Sequence, residues 1–430
     1  MPESYSFDSE ASFERFFKKA LFYADQFECF CLLNGNDYQS GLYQAFPIKL
    51  AIGAISKIEI PYGQKDLSEL KERLRNNKNE LFGIFSYELK DAIETSLSSQ
   101  NPDRIEAPAA VFFTPAILLE FNQKEISISS DSENADAVYN TIQKIEIPTS
   151  DKYNGKITSK ITREDYLEKI RSLQKHIKQG DIYEVNFCME FFAKEISLNP
   201  IATYDALNKS SASPFSALFK WNAHYLISAS PERFLQKKGN KLLSQPIKGT
   251  RKRSADPEED KMLAKELLND PKEQAENVMI VDLVRNDLTP FAKTGSIRVE
   301  ELFGIYSFPH VHQMISTVSA ELENDNKSID ALLRAFPMGS MTGAPKLKAM
   351  ELIEKYEESK RGWYSGALGY FDKNGDFDLS VVIRSIVYNR NTKTASFQAG
   401  SAITYDAIPE KEYEECLLKA EALKNALRCQ

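Results

Sequence analysis

The chain of 430 residues reads as an α+β protein built on antiparallel sheet. Three observations predict this class. Short β-branched and aromatic runs recur along the chain, two pairs of them are joined by hairpin turns, and helices of 3.6-residue period stand between the hairpins instead of alternating with single strands. The composition, 42% hydrophobic and 27% charged with 18 Gly and 18 Pro, is that of a globular protein with a sizeable core.

Residues 1–121 alternate apolar runs with turns, as in Phe30-Cys31-Leu32-Leu33 and Leu81-Phe82-Gly83-Ile84-Phe85, and read as strands with a few helices. Residues 122–160 are polar and give the best linker, although a surface hairpin and helix would look similar. The division is therefore drawn as 1–150 and 151–430. Thr162 with Asp165 three residues later opens a helix, Tyr166, Ile170, Leu173 and Ile177 carry its apolar stripe, and Gly180 ends it. Residues 182–187 read as a strand. Runs 225–236 and 241–250 flank Lys237-Lys238-Gly239-Asn240 as a hairpin. With Lys238 facing Lys241, Glu232 falls opposite Ile247, one step from Lys248, with side-chain origins on the order of 5–8 Å apart. Residues 257–268 and 271–284 read as successive helices, the second with Asp270 as N-cap and Pro271 as its first residue. Residues 366–371 and 377–388 form a hairpin around Asn374-Gly375, and Pro409 opens a final helix.

Charge and targeting signals narrow the function. Lys plus Arg is 54 and Asp plus Glu is 62, so the net charge of −8 disfavours broad contact with a phosphate backbone, and no nucleic acid is expected. The N-terminus has no basic segment followed by an apolar one. The most apolar stretch, 107–119, is broken by Pro108, Thr114 and Pro115. No membrane span and a cytoplasmic location are expected. The five cysteines, at 29, 31, 188, 416 and 429, have no CxxC spacing and read as reduced thiols, and four His exclude a His-rich metal centre.

Five constellations could carry chemistry. Lys248 ends an apolar strand before Gly249, where a partly buried amine becomes a nucleophile, with Glu232 near enough to act as acid; a surface Lys–Glu pair is the plainer alternative. Glu276 and Asp282 lie in an apolar helical stretch and are expected in or near the interior, either in a site or in salt bridges. Glu412, Glu415 and Lys419 share one stripe of the last helix, which suits a hard cation or an ordinary solvated face. Arg384 in a β-branched run is either a carboxylate clamp or on the solvent side of the pleat. The turn Gly339-Ser340-Met341-Thr342-Gly343-Ala344-Pro345-Lys346 has anion-binding character but lacks P-loop spacing. Asp372 to Asp378 reads as a hairpin turn and not a calcium loop.

Together and in this order, Ser230-Pro231-Glu232-Arg233-Phe234, the run from Ala275 to Arg285-Asn286-Asp287, and Phe336-Pro337 to Pro345-Lys346 resemble the chorismate-utilising enzymes. That family includes the anthranilate, aminodeoxychorismate, isochorismate and salicylate synthases. The resemblance covers residues 160–425 strongly and 1–121 loosely. It implies a two-domain αββα sandwich with large antiparallel sheets, whose N-terminal strands pair with later ones. Where the anthranilate branch has Pro-Ile-Ala-Gly-Thr, this chain has Pro246-Ile247-Lys248-Gly249-Thr250, similar to the aminodeoxychorismate branch. The resemblance then implies Lys248 as nucleophile at C2 of chorismate and Glu232 as general acid for the C4 hydroxyl, with ammonia adding at C4 and expelling the lysine. It implies Mg²⁺ held by Glu276 and Glu415 with Glu412 assisting. Gly249, Thr250, Arg384, Gly400 and Lys419 would bind the substrate carboxylates. No cysteine sits in a glutaminase-like elbow, so ammonia is expected from a separate glutamine amidotransferase subunit, and the product would go on to 4-aminobenzoate and folate. Anthranilate synthesis and a catalytically silent chorismate-binding subunit are the alternatives. Three departures stand out: Gln313 where the family often has His, Ser401-Ala402 where it has Gly-Gly, and Leu32-Leu33-Asn34-Gly35 without the regulatory Ser.

Overall fold

The computed structural model describes residues 2–40, 43–131, 133–148, 153 and 155–428. Asp151, Lys152 and Asn154 of the proposed linker, and Cys429, lie outside them. The other four cysteines are buried and unpaired.

Among the described residues all strand pairs are antiparallel, and 20 strands form one connected network. It divides into two sheets that share the long strands Ile48–Ile60 and Ala110–Asn122. Residues 117–122 of the second strand pair with Glu125–Ser130, while residues 110–113 pair with Leu81–Phe85. From there one sheet runs through Cys29–Asn34, Phe215–Trp221, His224–Ser230, Ser385–Asn389 and Thr394–Ile403 to Glu184–Ala193. The other runs through Leu81–Phe85, Ala367–Phe371, Phe377–Val381, Arg233–Lys238 and Lys241–Gln245 to Val311–Glu321.

Alternation along single strands shows how the layers stack. Phe82 and Ile84 join the same core as Ala217, Phe219 and Trp221, so this core lies between the sheets. Leu81 and Phe85 turn the other way, onto a core with Leu332 and Val281 of helices. Leu218 turns onto a third core with Tyr166, Ile170, Cys416 and Leu423, again of helices. This is an αββα sandwich, as expected. Strands buried on both faces carry continuous apolar runs, which explains why Phe30-Cys31-Leu32-Leu33 shows no alternation.

Strands from either side of residue 150 are neighbours, as in Cys29–Asn34 with Phe215–Trp221 and Leu81–Phe85 with Ala367–Phe371. Within 122–160 the chain forms a hairpin, Ala110–Asn122 with Glu125–Ser130, and a helix, Ala135–Lys144.

Local signals place the helices well. Thr162 caps Arg163–Gln179 and Gly180 closes it in the left-handed conformation, φ 83°. Asp270 caps Pro271–Leu288, which continues past the expected end at 284. Both hairpin arms of the central motif break at proline, giving His224–Ser230 and Arg233–Lys238 on one side and Lys241–Gln245 and Ile247–Lys252 on the other. Lys238 does face Lys241, but the register shifts between Arg233 and Gln236, so Glu232 has no ladder partner in Ile247.

A buried carboxyl outside the site gives a stability test. Glu88 Oε1 accepts from the Arg361 backbone N–H at 3.0 Å and Oε2 from the Ser86 hydroxyl at 3.0 Å. Burial, only partly offset by Lys90, pushes its carboxyl up to about 7. A carboxyl raised on folding favours the folded state fully at low pH, and that contribution is lost as pH rises through about 7. Glu88→Gln removes the charge, keeps an oxygen to accept from the Arg361 N–H, and lets its amide N–H donate to the Ser86 oxygen while that hydroxyl donates to the Gly362 carbonyl at 2.9 Å. At pH 8 it is expected to be more stable than the wild type by on the order of 2 kcal/mol in urea unfolding, with the gain gone near pH 5.

Candidate active site

The proline breaks build the site. Pro231 ends one strand and turns Glu232 inward, and Pro246 ends another and presents Lys248 from a strand paired with Val311–Glu321. Lys248 is 9% exposed and Glu232 5%. Glu232 accepts from the Ser340 hydroxyl at 2.7 Å and from the Ile247 backbone N–H. Burial pushes its carboxyl up to about 7, against the opposing pull of Ser340, Lys248, the Ile247 N–H and Arg384. A carboxyl poised there is a competent acid at neutral pH. Lys248 donates to Glu184 Oε1, and Glu184 is 1% exposed. Burial pulls the Lys248 ammonium down, but Glu184, Glu276 and Glu232 together hold it above its ordinary value.

Carboxylates gather beside this pair from two helices. Glu276, of Pro271–Leu288, lies 3.6 Å from Lys272; Glu415, of Pro409–Arg428, lies 2.7 Å from Lys419. Glu412 is buried and accepts from Ser401, the residue that departs from the family's glycine. Burial raises Glu276, assisted by Glu184 and Glu273 and opposed by Lys248 and Lys272. Burial also raises Glu412, helped by Glu415. Lys272 is pulled down by burial yet pushed above its usual value by Glu276, Glu412, Glu273 and Glu415, which shows four carboxylates near one ammonium. Among the described residues no three His, Cys, Asp or Glu side chains converge closely enough to hold a metal by themselves. The donors present suit a hard cation held by two carboxylates and completed by water and substrate oxygens.

Several expected residues sit differently from the sequence reading. Asp282 is not interior: its side chain is 72% exposed and pairs with Arg285 at 2.7 Å, because the Pro271–Leu288 helix turns that face to solvent. Arg384 is not inside a strand. The run 377–388 breaks after Val381, Arg384 adopts φ 49°, and Ser385–Asn389 joins the other sheet. That crossing point brings Arg384 close enough to lower Glu232 and onto a pocket with Pro231, His310 and Gln313. Gln313 Oε1 is buried without a partner among the described residues. A second pocket is lined by Glu232, Pro246, Gly339 and Ser340. Neither is lined by Lys248 or Glu184.

Gly249 has φ +93°, and a Cβ there would lie 3.0 Å from Leu267 and 3.1 Å from Glu273, so its backbone passes close beneath the helix layer. Thr250 pairs with Gln313. Gly400 pairs with Cys188, and a Cβ would come within 2.4 Å of its Sγ. Lys419 donates to the Gly400 carbonyl at 2.9 Å as well as pairing with Glu415. Lys346 of the glycine-rich turn is committed to Asp287 at 2.6 Å, so that turn contributes Ser340 to the site and not a free cation. Glu184 escaped sequence reasoning, although a single acid in the apolar run Ile182-Tyr183-Glu184-Val185 was a signal for it; Ser340 was singled out only within the glycine-rich turn and not as a partner of Glu232.

A buried lysine beside a raised carboxyl, with further carboxylates around them, is the equipment of an enzyme, and the comparisons agree. The chorismate binding enzyme model matches residues 29–425, and the chain belongs to that family. It is 35% identical over 359 residues to anthranilate synthase component 1 of Thermus thermophilus, covering 80% of this chain and 77% of that one. It is also 35% identical over 347 residues to aminodeoxychorismate synthase component 1 of Escherichia coli, covering 80% and 76%. The crystal structure of anthranilate synthase component I from Streptococcus pneumoniae superposes with a TM-score of 0.77 at 26% identity, covering 90% of this chain and 93% of that one. No helix among the described residues is long and apolar enough to cross a membrane.

Proposed function

We propose that the protein is an aminodeoxychorismate synthase component I, converting chorismate and ammonia to 4-amino-4-deoxychorismate. The observation that carries this reading is Lys248: a buried lysine at the start of the strand Ile247–Lys252 and not at the end of the preceding one, within electrostatic reach of the raised carboxyl of Glu232. Overall identity does not discriminate, since relatives of both names match equally well. Lys248 forms a bond to C2, the ring double bonds shift, and the C4 hydroxyl leaves as water with the proton of Glu232. Ammonia then bonds to C4 and releases Lys248. Arg384, Lys419 and the backbone at Gly249, Thr250 and Gly400 hold the two carboxylates of the substrate. Glu276 and Glu415, with Glu412 beside them, would hold Mg²⁺, displacing the surface ammonium groups of Lys272 and Lys419. When bound, the cation binds the ring carboxylate and draws electron density from the ring. The designation component 1 among the relatives supports a second component, and a separate glutamine amidotransferase would supply ammonia.

Mass spectrometry of purified protein with chorismate, ammonium and Mg²⁺ tests the reading. The expected product has the mass of aminodeoxychorismate, disappears with EDTA and returns with added Mg²⁺. Anthranilate would move the protein to the other branch. Chorismate binding without turnover would favour a silent subunit.

A further inference from the structure

Resting on that reading, we propose that Glu184 is the proton acceptor that turns the Lys248 ammonium into the amine that attacks the ring. Four carboxylates face Lys248 from the elements around it: Glu184 from its strand, Glu276 from the helix above, Glu232 from the Pro231 corner and Glu415 from the final helix. Glu184 alone among them is hydrogen-bonded to the lysine. Glu232 must itself arrive protonated, and its oxygens are engaged by Ser340 and the Ile247 N–H. Glu276 and Glu415 have Lys272 and Lys419 for partners.

Glu184 is also built to receive a proton. The pairing of Glu184 with Ala344 anchors its strand, so the carboxylate is held in place on rigid backbone. Its second oxygen, Oε2, is buried with no hydrogen-bond partner among the described residues, and a proton placed there displaces no bond shown by them. The lysine side chain is only 10% exposed and the glutamate 1%, so moving one proton from lysine to glutamate converts two largely buried charges into two neutral groups, which is the direction burial favours. An ion pair kept permanently would instead leave the lysine without the lone pair that attack requires.

The protons balance. Lys248 gives one to Glu184, its free amine bonds to C2, and the C4–O bond breaks as Glu232 protonates the leaving hydroxyl. Ammonia then bonds to C4 while the C2–N bond breaks. Glu232 takes the surplus proton of the incoming nitrogen, and Glu184 returns its own to Lys248.

Glu184→Gln preserves size and can still pair with the lysine but cannot take its proton. With ammonium as nitrogen donor, its kcat is expected to fall about 100-fold with KM for chorismate changed less than about threefold. The ratio of wild-type to variant rate is expected to be largest near pH 6 and to shrink toward pH 9, as solvent takes over the deprotonation. Glu184→Asp retains a carboxylate and is expected to recover part of the rate with a wild-type pH profile. A Glu184→Gln rate within about threefold of wild type, or a defect of equal size at every pH, overturns the assignment. If Glu184→Gln does not fold, equal rates for Glu184→Asp and the wild type overturn it. A wild type that makes no aminodeoxychorismate sinks the underlying reading and this one together, whereas an active wild type with an indifferent variant sinks this one alone.

Discussion

Lys248→Ala loses aminodeoxychorismate formation from chorismate and ammonium, with kcat lowered by about 10³-fold or more, because the covalent route has no other amine at its centre. Peptide mass spectrometry of quenched and digested wild-type reactions is expected to show an adduct on the peptide containing Lys248, absent from the variant. The substitution also has a structural consequence. It leaves Glu184, 1% exposed, without its counter-charge, and an uncompensated buried carboxylate costs about 3–5 kcal/mol. Lys248→Ala is therefore expected to unfold at lower urea. Adding Glu184→Gln should recover most of that stability and none of the activity. If the double variant stays as unstable as the single one, Glu184 and Lys248 are not the coupled pair described here. If Lys248→Ala makes product at the wild-type rate, lysine is not the nucleophile.

Glu232→Gln is expected to lower kcat about 10²- to 10³-fold while leaving KM for chorismate nearly unchanged, since the proton is needed only as the C4–O bond breaks. The pH dependence follows from the position of the carboxyl. Burial, against Ser340 and the neighbouring cations, brings Glu232 up to about 7, so the acid is protonated below that pH and lost above it. Wild-type kcat/KM should fall as pH rises through about 7, and the fall should be missing from the small residual rate of Glu232→Gln. A wild-type profile with no such limb, or a variant that keeps it, would assign the acid to another group.

The physical split between what was readable and what was not follows the range of the interactions. The caps at Thr162 and Asp270, Gly180 at a helix end, and the Lys238–Lys241 turn depend on neighbours within a few residues, and the chain shows them directly. The proximity of Glu232 to Lys248 was legible for the same reason: one hairpin joins them. Its exact geometry was not, because Pro231 and Pro246 break the ladder and turn the acid inward. Arg384 and Asp282 were misplaced because periodicity reports apolar residues and not which layer accepts them. The run holding Arg384 leaves its strand after Val381 to change sheets, and the helix holding Asp282 turns that face to water.

By itself, the sequence determined that this is an α+β chain of antiparallel hairpins with a nucleophile-and-acid motif, because those signals are local. Only the tertiary structure decided that the strands around residue 30 and residue 82 pair with partners more than 180 residues away. It also decided that Glu412 and Glu415 of the last helix lie, like Glu276, within electrostatic reach of Lys272, and that a lone acid at the head of a buried strand meets Lys248. Contacts across such separations form only when the layers pack, and no short-range pattern in the chain records them.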